Sequence, residues 1–552
     1  RRRQCIEAIA HFLKPTVIIL NTTSQITIVQ ALAQALARAG VRQMFGLPGG
    51  GSSLDLIEAA AEVGIDFTLT KTENAAVMMA GALAETTGVP GVALMTKGPG
   101  VANAANGVTY AKLDRAPVIV ITDGFTDKQL SYITHQVFDQ KALLQPVVKG
   151  VTRLESDNPA AEIEAIIALA CQAPLGPVHL ELTGEVARRL IGLPQVVAQA
   201  SSTSALDQVA LQSLAQQIKL AKKPVLIVGL EARHCAAEVR QLAKQLKCPV
   251  LQTYKAKGVV SDLDPQVVGI FTGGIQEADC LAQADLMVMV GLDPVEMILQ
   301  PWPYNKSAVE LSNAVHDIHY IKPLARVSRD LKQHTRALNV DLNGYVSDWS
   351  LEQIAHLRHD ILKRLAYPSV QFGVAPDRLV QLSAQACAEQ KFRPRMSVDA
   401  GAHMFSATAF FPVTQPGDVL ISNGLATMAF ALPAAIAAAL DEPAQPVICF
   451  TGDGGLMMCL GELCTAIDSG ARIVVVVFND SALSLIDIKQ QSKQLPSRGV
   501  RWGKHDFAKA MQALGGQGFE ATTEAQYHQA LTQALKLQGP SLIDVQIDPS
   551  GY

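Results

Sequence analysis

Thr451-Gly452-Asp453-Gly454-Gly455 follows the apolar run Pro446-Val447-Ile448-Cys449-Phe450, and a helix-length gap separates it from the second apolar run, Ile473 to Phe478, which ends in Asn479-Asp480. The first run is continuous and rich in β-branched residues, as a buried parallel strand requires, and the glycines after it permit a sharp turn into a helix. Glu462 to Ile467 then reads as helix interior. In an open α/β sheet, ligands gather at the carboxyl ends of strands, where helix N-termini offer free N–H groups to phosphate. Asp453 and Asp480 both fall at such ends. Mg2+ commonly combines one or two carboxylates with substrate phosphates and waters. The spacing therefore predicts a cradle for a metal-bound diphosphate. A Gly-Asp-Gly alone is compatible with a simple turn; the strand, helix, strand and Asn-Asp that follow it are what argue for a site.

Working outward, the 552 residues exceed what one core supports, and about three domains of ordinary size are expected. The formal net charge is −4, without long single-sign runs, which gives no electrostatic footprint for nucleic acid or an anionic membrane. The nine cysteines lack CxxC pairs or zinc spacing and read as buried thiols of a reducing cytoplasm. Arg1-Arg2-Arg3 precedes a mixed segment ending in Val17-Ile18-Ile19-Leu20, too short to span a bilayer. Residues 1–22 are expected to be an extension outside the fold, because the globular pattern begins near Ser24 to Ile28.

Apolar residues recur at helical spacing from Thr27 to Gly40, followed by Met44-Phe45, a glycine-rich turn and another helical pattern from Leu54. Strands are expected at Phe67 to Thr70, Gly91 to Met95 and Pro117 to Thr122, which makes the first domain, residues 23–195, α/β with a mostly parallel sheet. The polar stretch Val197 to Ala205 reads as a linker. A second α/β unit, residues 206–345, starts at the strand Pro224 to Gly229. A third, residues 370–552, follows the charged helical segment Leu351 to Leu365 and contains Ser397-Val398, Val419 to Ser422 and the two runs already quoted. The fold class is thus three consecutive α/β domains. The first and third share a strand-loop-helix grammar, as related half-modules would.

The Gly-Asp-Gly with 24 residues between Gly454 and Asn479 resembles the diphosphate motif of the thiamine-diphosphate (ThDP) enzymes, whose usual ending is Asn-Asn. Further text carries the likeness: Phe45-Gly46-Leu47-Pro48-Gly49-Gly50, Thr72-Glu73-Asn74-Ala75-Ala76, Gly98-Pro99-Gly100 with Asn103, and Asn423 to Pro433. Over about residues 24–552 the chain resembles the branch containing acetohydroxyacid synthase, pyruvate oxidase and benzoylformate decarboxylase, with pyrimidine-binding, central and diphosphate-binding domains in that order. The resemblance implies that Asp453, Asp480 and the backbone carbonyl of Ala482 hold Mg2+, with Asp480 in place of the family's second asparagine. Gly452, Gly454 and Gly455 would approach the diphosphate, while Gly49, Gly50, Asn103, Gly424 and Ala426 would line the rest of the cofactor.

Glu73 follows a predicted strand, where an acidic helix N-terminus is the plain explanation. The resemblance implies more: Glu73 would hydrogen-bond the aminopyrimidine N1′ and so activate the thiazolium C2. A buried carboxyl has a raised pKa and can manage a proton near neutrality, which is typically worth ~10²–10⁴ in rate. Met428, in an alanine-rich helix start, reads by itself as core filler; by resemblance it wedges beneath the cofactor and enforces its bent shape. In Thr134 to Gln140, His135 and Gln136 fall on a Phe-Gln pair that borders the reacting carbon in the synthases, so both are substrate-side candidates, and a histidine's ordinary pKa of about 6.5 suits proton shuttling. His403 is a second, weaker candidate. The family joins its first and third domains across chains, which implies a homodimer or homotetramer with active sites between subunits.

The sequence also departs from the family. Where acetohydroxyacid synthases carry an arginine for the acceptor's carboxylate, this chain reads Val290-Gly291-Leu292-Asp293-Pro294-Val295-Glu296, and an acidic residue cannot supply bidentate carboxylate recognition. Val228 to Arg233 lacks the extended glycine-rich signature expected for FAD, so a vestigial nucleotide fold is expected and FAD is disfavoured. Ser481 to Trp502 is compatible with a cover over the substrate or with solvated surface. The expectation is a cytoplasmic, ThDP- and Mg2+-dependent enzyme that decarboxylates a 2-oxo acid and carboligates the resulting enamine, in the manner of acetolactate synthase. The alternatives are a simple decarboxylase releasing an aldehyde, a ThDP-dependent lyase on another activated ketone, and a silent ThDP-binding regulatory subunit, against which the presence of Glu73 argues. An NAD(P) dehydrogenase would need a Gly-x-Gly-x-x-Gly turn that Gly452-Asp453-Gly454 does not provide.

Overall fold

The computed structural model describes residues 25–193, 205–298, 301–316, 320–368 and 370–552. The expected extension, residues 1–22, and nearly all of the expected linker lie outside the described residues. Short apolar runs become strands of three parallel sheets with six strands each, and helices cover both faces, as runs buried on both sides demand.

The first sheet contains β1 (Gln43–Leu47), β2 (Asp66–Leu69), β3 (Gly91–Met95), β4 (Val118–Asp123), β5 (Val151–Thr152) and β6 (Val178–Leu182), in the order β2-β1-β3-β4-β6-β5. The central sheet contains β7 (Pro224–Val228), β8 (Val250–Gln252), β9 (Val267–Ile270), β10 (Leu286–Val290), β11 (Ser307–Ser312) and β12 (Ala325–Ser328), ordered β9-β8-β7-β10-β11-β12. This is the doubly wound order of dinucleotide-binding folds. The third sheet contains β13 (Met396–Val398), β14 (Val419–Ile421), β15 (Val447–Gly452), β16 (Ile473–Asn479), β17 (Gln517–Ala521) and β18 (Ser541–Gln546), ordered β14-β13-β15-β16-β18-β17. Counted within each domain, the first and third sheets have the same strand order.

The first and third domains share one core. Helices Glu73–Thr87, Pro99–Leu113 and Ala431–Asp441 pack together within it, and their buried faces are largely alanine and glycine. The approach is close: a Cβ on Gly81 would lie 2.7 Å from the Tyr110 ring, and one on Gly107 2.8 Å from the Asn74 carbonyl. Helix Glu73–Thr87 is buried nearly all round and so shows little amphipathic pattern.

Two details differ from the sequence reading. A strand Gln25–Thr27 pairs antiparallel with Leu190–Gly192 and closes the start of the first domain against its end. Glu462, expected inside a helix, is the first residue of helix Glu462–Asp468, because the turn after β15 forms its own short helix, Asp453–Met458. At that terminus the Glu462 carboxylate accepts from the Lys71 N–H at 3.2 Å and the Thr72 hydroxyl at 3.1 Å. Thr72 caps the helix that begins at Glu73, so the third domain anchors the residue beside Glu73.

Candidate functional site

In the third sheet the order reverses between β13 and β15, and a crevice opens beyond their carboxyl ends, where an open α/β sheet places its ligands. It holds a cavity of about 250 Å3, whose lining includes His403, Met428, Asp453, Asp480, Leu483 and Tyr552. Asp399, directly after β13, organises it. Its buried carboxylate accepts from the N–H groups of Ala429 and Phe430 at 3.0 Å each and from the Thr451 hydroxyl at 3.1 Å. Burial still pushes its pKa up to about 6. These bonds hold a turn in which Ala426 and Ala429 have φ of 54° and 67°, a region that costs a non-glycine residue about 1–2 kcal/mol. Met428 lies inside this turn and on the cavity wall. At Gly455 no side chain fits, since a Cβ would stand 2.2 Å from Asp399 Oδ2.

Asp453 is 2 % exposed. Its Oδ1 accepts from the Gly454 N–H at 2.9 Å, and its buried Oδ2 has no hydrogen-bond partner. Burial and then the neighbouring Asp480 carboxylate push its pKa up to about 7. Asp480, itself raised by burial, accepts from the Ser484 hydroxyl. Two carboxylates desolvated beside each other, one with an orphaned oxygen, suit a hard divalent cation. Ala482 is fixed nearby by bridge pairing with Arg501, and the Leu483 N–H donates to the Val500 carbonyl at 2.8 Å. Asp453, Asp480 and Ala482 thus lie together and fit an Mg2+ site. His403 stacks on Phe478 with ring centroids 5.1 Å apart, and its buried Nε2 is also unpartnered. Burial lowers its pKa to about 4, so the ring is neutral and able to meet a donor or a phosphate oxygen in either tautomer. The segment after Asp480 forms helix Ser484–Ser492; Ser484, Leu485 and Ile486 line the cavity, whereas Lys489, Gln490 and Arg498 are not on it.

The other sequence-derived candidates lie on the first domain. Glu73 is half-buried, not buried as expected, and one carboxylate oxygen accepts from the Asn103 amide at 2.5 Å. Gly100 lies against the other oxygen, 3.2 Å from where its Cβ would be. Gln136, with φ of 61°, lies against Gly98, and both it and His135 are exposed. Glu73, Asn103 and Gln136 therefore border one edge around Gly98-Pro99-Gly100. Gly424 is in the turn before Met428, where a Cβ would meet the Leu113 carbonyl at 2.2 Å. Gly50 is exposed with open space around it, but Gly49 is tightly packed: a Cβ would lie 2.3 Å from Thr96 Oγ1 and 2.4 Å from Asp123 Oδ2. Asp123 also accepts from the Ser53 N–H at 2.9 Å and fills the crevice of the first sheet. None of Glu73, His135, Gln136, Gly49 or Gly50 lines the cavity of this same chain.

The corresponding crevice of the central sheet, between β7 and β10, is closed. The buried carboxylates of Glu231, Asp293 and Glu296 crowd it, and Gly229 abuts the Gly291 carbonyl, 2.4 Å from where its Cβ would be. Burial pushes Glu231 up to about 7 and Glu296 up to about 8. Asp293, in the segment Val290 to Glu296 that carries no arginine, is ion-paired with Arg115 at 2.6 Å. These residues do not fit a dinucleotide diphosphate such as that of FAD.

Asp399 and Asp123 were missed by the sequence reading; their one signal is an acid at or directly after the end of a predicted strand. No helix among the described residues is long and apolar enough to cross a membrane.

Three family models match the chain in succession: the N-terminal TPP binding domain of thiamine pyrophosphate enzymes over residues 26–143, their central domain over 211–338 and their C-terminal TPP binding domain over 399–545. The chain is similar to an acetolactate synthase of Bacillus subtilis (strain 168), with 28% identity covering 94% of this chain and 93% of that protein. It is 26% identical to acetolactate synthase isozyme 1 large subunit of Escherichia coli (strain K12), covering 96% and 95%. It is 27% identical to a catabolic acetolactate synthase of Raoultella terrigena, covering 94% of each.

Proposed function

Since the chain belongs to the thiamine pyrophosphate enzymes, in the branch of the acetolactate synthases and pyruvate oxidases, we propose that it uses thiamine diphosphate and Mg2+ to decarboxylate a 2-oxo acid and join the remaining acyl unit to a second carbonyl compound. The observation that carries this reading is the crevice after β13 and β15. There the orphaned Asp453 oxygen, the Asp480 carboxylate, neutral His403 and the Met428 turn surround one cavity. Full-length similarity to acetolactate synthases supports the carboligation.

Bound thiamine diphosphate would supply the electron sink for carbon dioxide loss. The chain's own residues supply the rest. Asp453, Asp480 and the Ala482 carbonyl hold the metal, and the Asp399-bound turn sets the height of Met428. Glu73, oriented by Asn103, exchanges the proton at the pyrimidine ring, and His135 and Gln136 lie where a substrate would approach. Glu73 does not line the cavity that holds Asp453, and exposed apolar side chains lie near each in the chain: Tyr132, Val137 and Phe138 beside Gln136, and Met457 and Met458 after the Gly-Asp-Gly turn. A homodimer or homotetramer with each active site shared between subunits accommodates this.

One observation favours a second reading. The segment Val290 to Glu296, where the resemblance expects a carboxylate-binding arginine, carries none, and its Asp293 is engaged by Arg115, so an acceptor acid finds no guanidinium from that segment. Simple decarboxylation to an aldehyde is therefore the rival. Anaerobic incubation with thiamine diphosphate, Mg2+ and a panel of 2-oxo acids, measuring carbon dioxide, aldehyde and acyloin, separates the two. Acetolactate or another acyloin supports the carboligase; aldehyde alone replaces it with the decarboxylase.

A further inference from the structure

A second cavity, of about 230 Å3, lies between the first and central domains, walled by Glu85, Arg115, Cys171, Leu175, Arg233 and His234. Its charge is unbalanced. The one acid that lines it, Glu85, is engaged by Arg233 at 2.8 Å, and behind the wall Arg115 meets Asp293 at 2.6 Å, with the raised Glu231 carboxyl next to that pair. Lys112 and Lys149 bring two more cations. Their stems lie on Gly176, next to Leu175, 4.0 and 3.3 Å from where its Cβ would be. Neither ammonium has a carboxylate within ion-pair reach among the described residues; Lys149 donates to the Gln172 carbonyl instead.

Burial and crowding by like charge both disfavour the charged forms of these groups. Burial and then Lys112 push Lys149 down to about 8, and burial and then Arg115 lower Lys112. His234 is lowered by burial and by Arg233, while the Cys171 thiol is raised by burial and stays neutral. A concave site with several cations of one sign and low-dielectric walls concentrates anions, and charge-assisted hydrogen bonds hold them.

We propose that this junction binds a small anion bearing phosphate or carboxylate groups, held by Lys112, Lys149, Arg115 and Arg233. The volume, below that of an ordinary drug-sized pocket, suits inorganic phosphate or a short polycarboxylate rather than a nucleotide. The site is placed to report to the cofactor crevice. Glu85 accepts from Lys255 at 2.9 Å, and the other Lys255 N–H groups reach Asp114 and the Ile421 carbonyl at 3.1 Å each. Asp114 in turn accepts from the N–H groups of Asn423, Gly424 and Leu425, the turn that leads to Met428. An anion that draws Arg233 from Glu85 acts on this chain of bonds.

The test uses protein saturated with thiamine diphosphate and Mg2+, which fills the diphosphate crevice, and titrates inorganic phosphate or citrate at constant ionic strength by calorimetry. Saturable binding of either probe is expected, the tighter one identifying the anion's chemistry. Binding should take up protons near pH 8, as the anion restores Lys149, and weaken as pH rises further. The double variant Lys112→Gln/Lys149→Gln should bind at least about tenfold more weakly, with turnover in the absence of anion unchanged; Lys149→Gln alone should weaken binding severalfold and lose the proton uptake. No saturable binding of either probe, or wild-type affinity in both variants, overturns the proposal. The outcome does not depend on which reaction the protein catalyses.

Discussion

Replacing Asp114 with asparagine tests whether the cofactor turn is held from the first domain. The carboxylate is fully buried. Oδ1 accepts from Asn423 N–H at 2.7 Å, Gly424 N–H at 3.1 Å and Lys255 Nζ at 3.1 Å; Oδ2 accepts from the Ser422 hydroxyl at 3.0 Å and Leu425 N–H at 3.3 Å. An asparagine keeps most of this by leaving its carbonyl at the Oδ1 position. Its amide then meets the Ser422 hydroxyl, which can turn to accept, and the Leu425 N–H, which cannot. One charge-assisted bond is lost, worth about 1.5–3 kcal/mol. Breaking a buried pair costs about 3–5 kcal/mol, but Lys255 retains Glu85 and the Ile421 carbonyl. The lower end, about 3 kcal/mol, is therefore expected. If half of it appears as a loosened turn that the cofactor must reorder, thiamine diphosphate affinity falls about tenfold. Trp502, whose ring lies 3.1 Å from where a Gly454 Cβ would be, provides the fluorescence signal for the titration, and urea unfolding reads the stability. Asp114→Asn with wild-type urea midpoint and wild-type cofactor affinity would refute the reasoning.

Other substitutions probe the remaining links. Glu73→Gln should lower turnover by ~10²–10⁴ while cofactor binding persists, checked by pre-steady-state kinetics and calorimetry. Asp453→Asn should abolish Mg2+-dependent cofactor binding yet stabilise the apoprotein at pH 8 by about 2–4 kcal/mol, since a carboxyl raised to about 7 is costly when ionised. Co-expression of Glu73→Gln with Asp453→Asn should restore activity, because a shared site in the mixed dimer pairs the two intact halves; no recovery in purified heterodimers would locate each site within one chain. Glu296→Gln addresses pH. Burial raises the folded pKa of Glu296 to about 8, above the unfolded carboxyl's, so its contribution is full below about pH 4.5 and lost as pH rises through 8, by up to roughly 5 kcal/mol. The glutamine can accept from Leu230 N–H and donate to the Thr253 hydroxyl, so thermal midpoints at pH 5 and 8.5 should converge in the variant.

What the sequence disclosed and withheld follows from how each interaction is encoded. The runs 447–450 and 473–478 are legible as strands because a strand buried on both faces must be continuously apolar. Asp453 is legible because glycines flank its strand-end position, and Asp480 because it directly ends the second apolar run. Asp399 and Asp114 are not, because they bind backbone N–H groups, which leave no mark on their partners' identity. Strand Gln25–Thr27 escapes for a related reason: three residues carry no period, and its partner, Leu190–Gly192, is remote in the chain. Gly49 carries a requirement of its own within the chain: the space a Cβ would take there is filled by Thr96 and Asp123.

That last point bears on why two domains of identical strand order cannot exchange tasks. In the first sheet, Asp123 at the end of β4 reaches across to the loop after β1 and accepts from the Ser53 N–H and from the Ser52 hydroxyl at 2.7 Å. The donors that would greet a phosphate there are already satisfied by an internal carboxylate, and a second anion would meet its charge. In the third sheet the carboxylate after the first strand, Asp399, turns instead toward Ala429, Phe430 and Thr451, which leaves the crevice open and places Met428 on its wall. The orientation of one aspartate in each domain thus separates a closed half that presents Glu73 from an open half fit for a metal-bound diphosphate. Glu73 is absent from the open cavity of its own chain, which is what a site completed by a second copy requires, and the mixed-dimer experiment tests whether a second copy completes it.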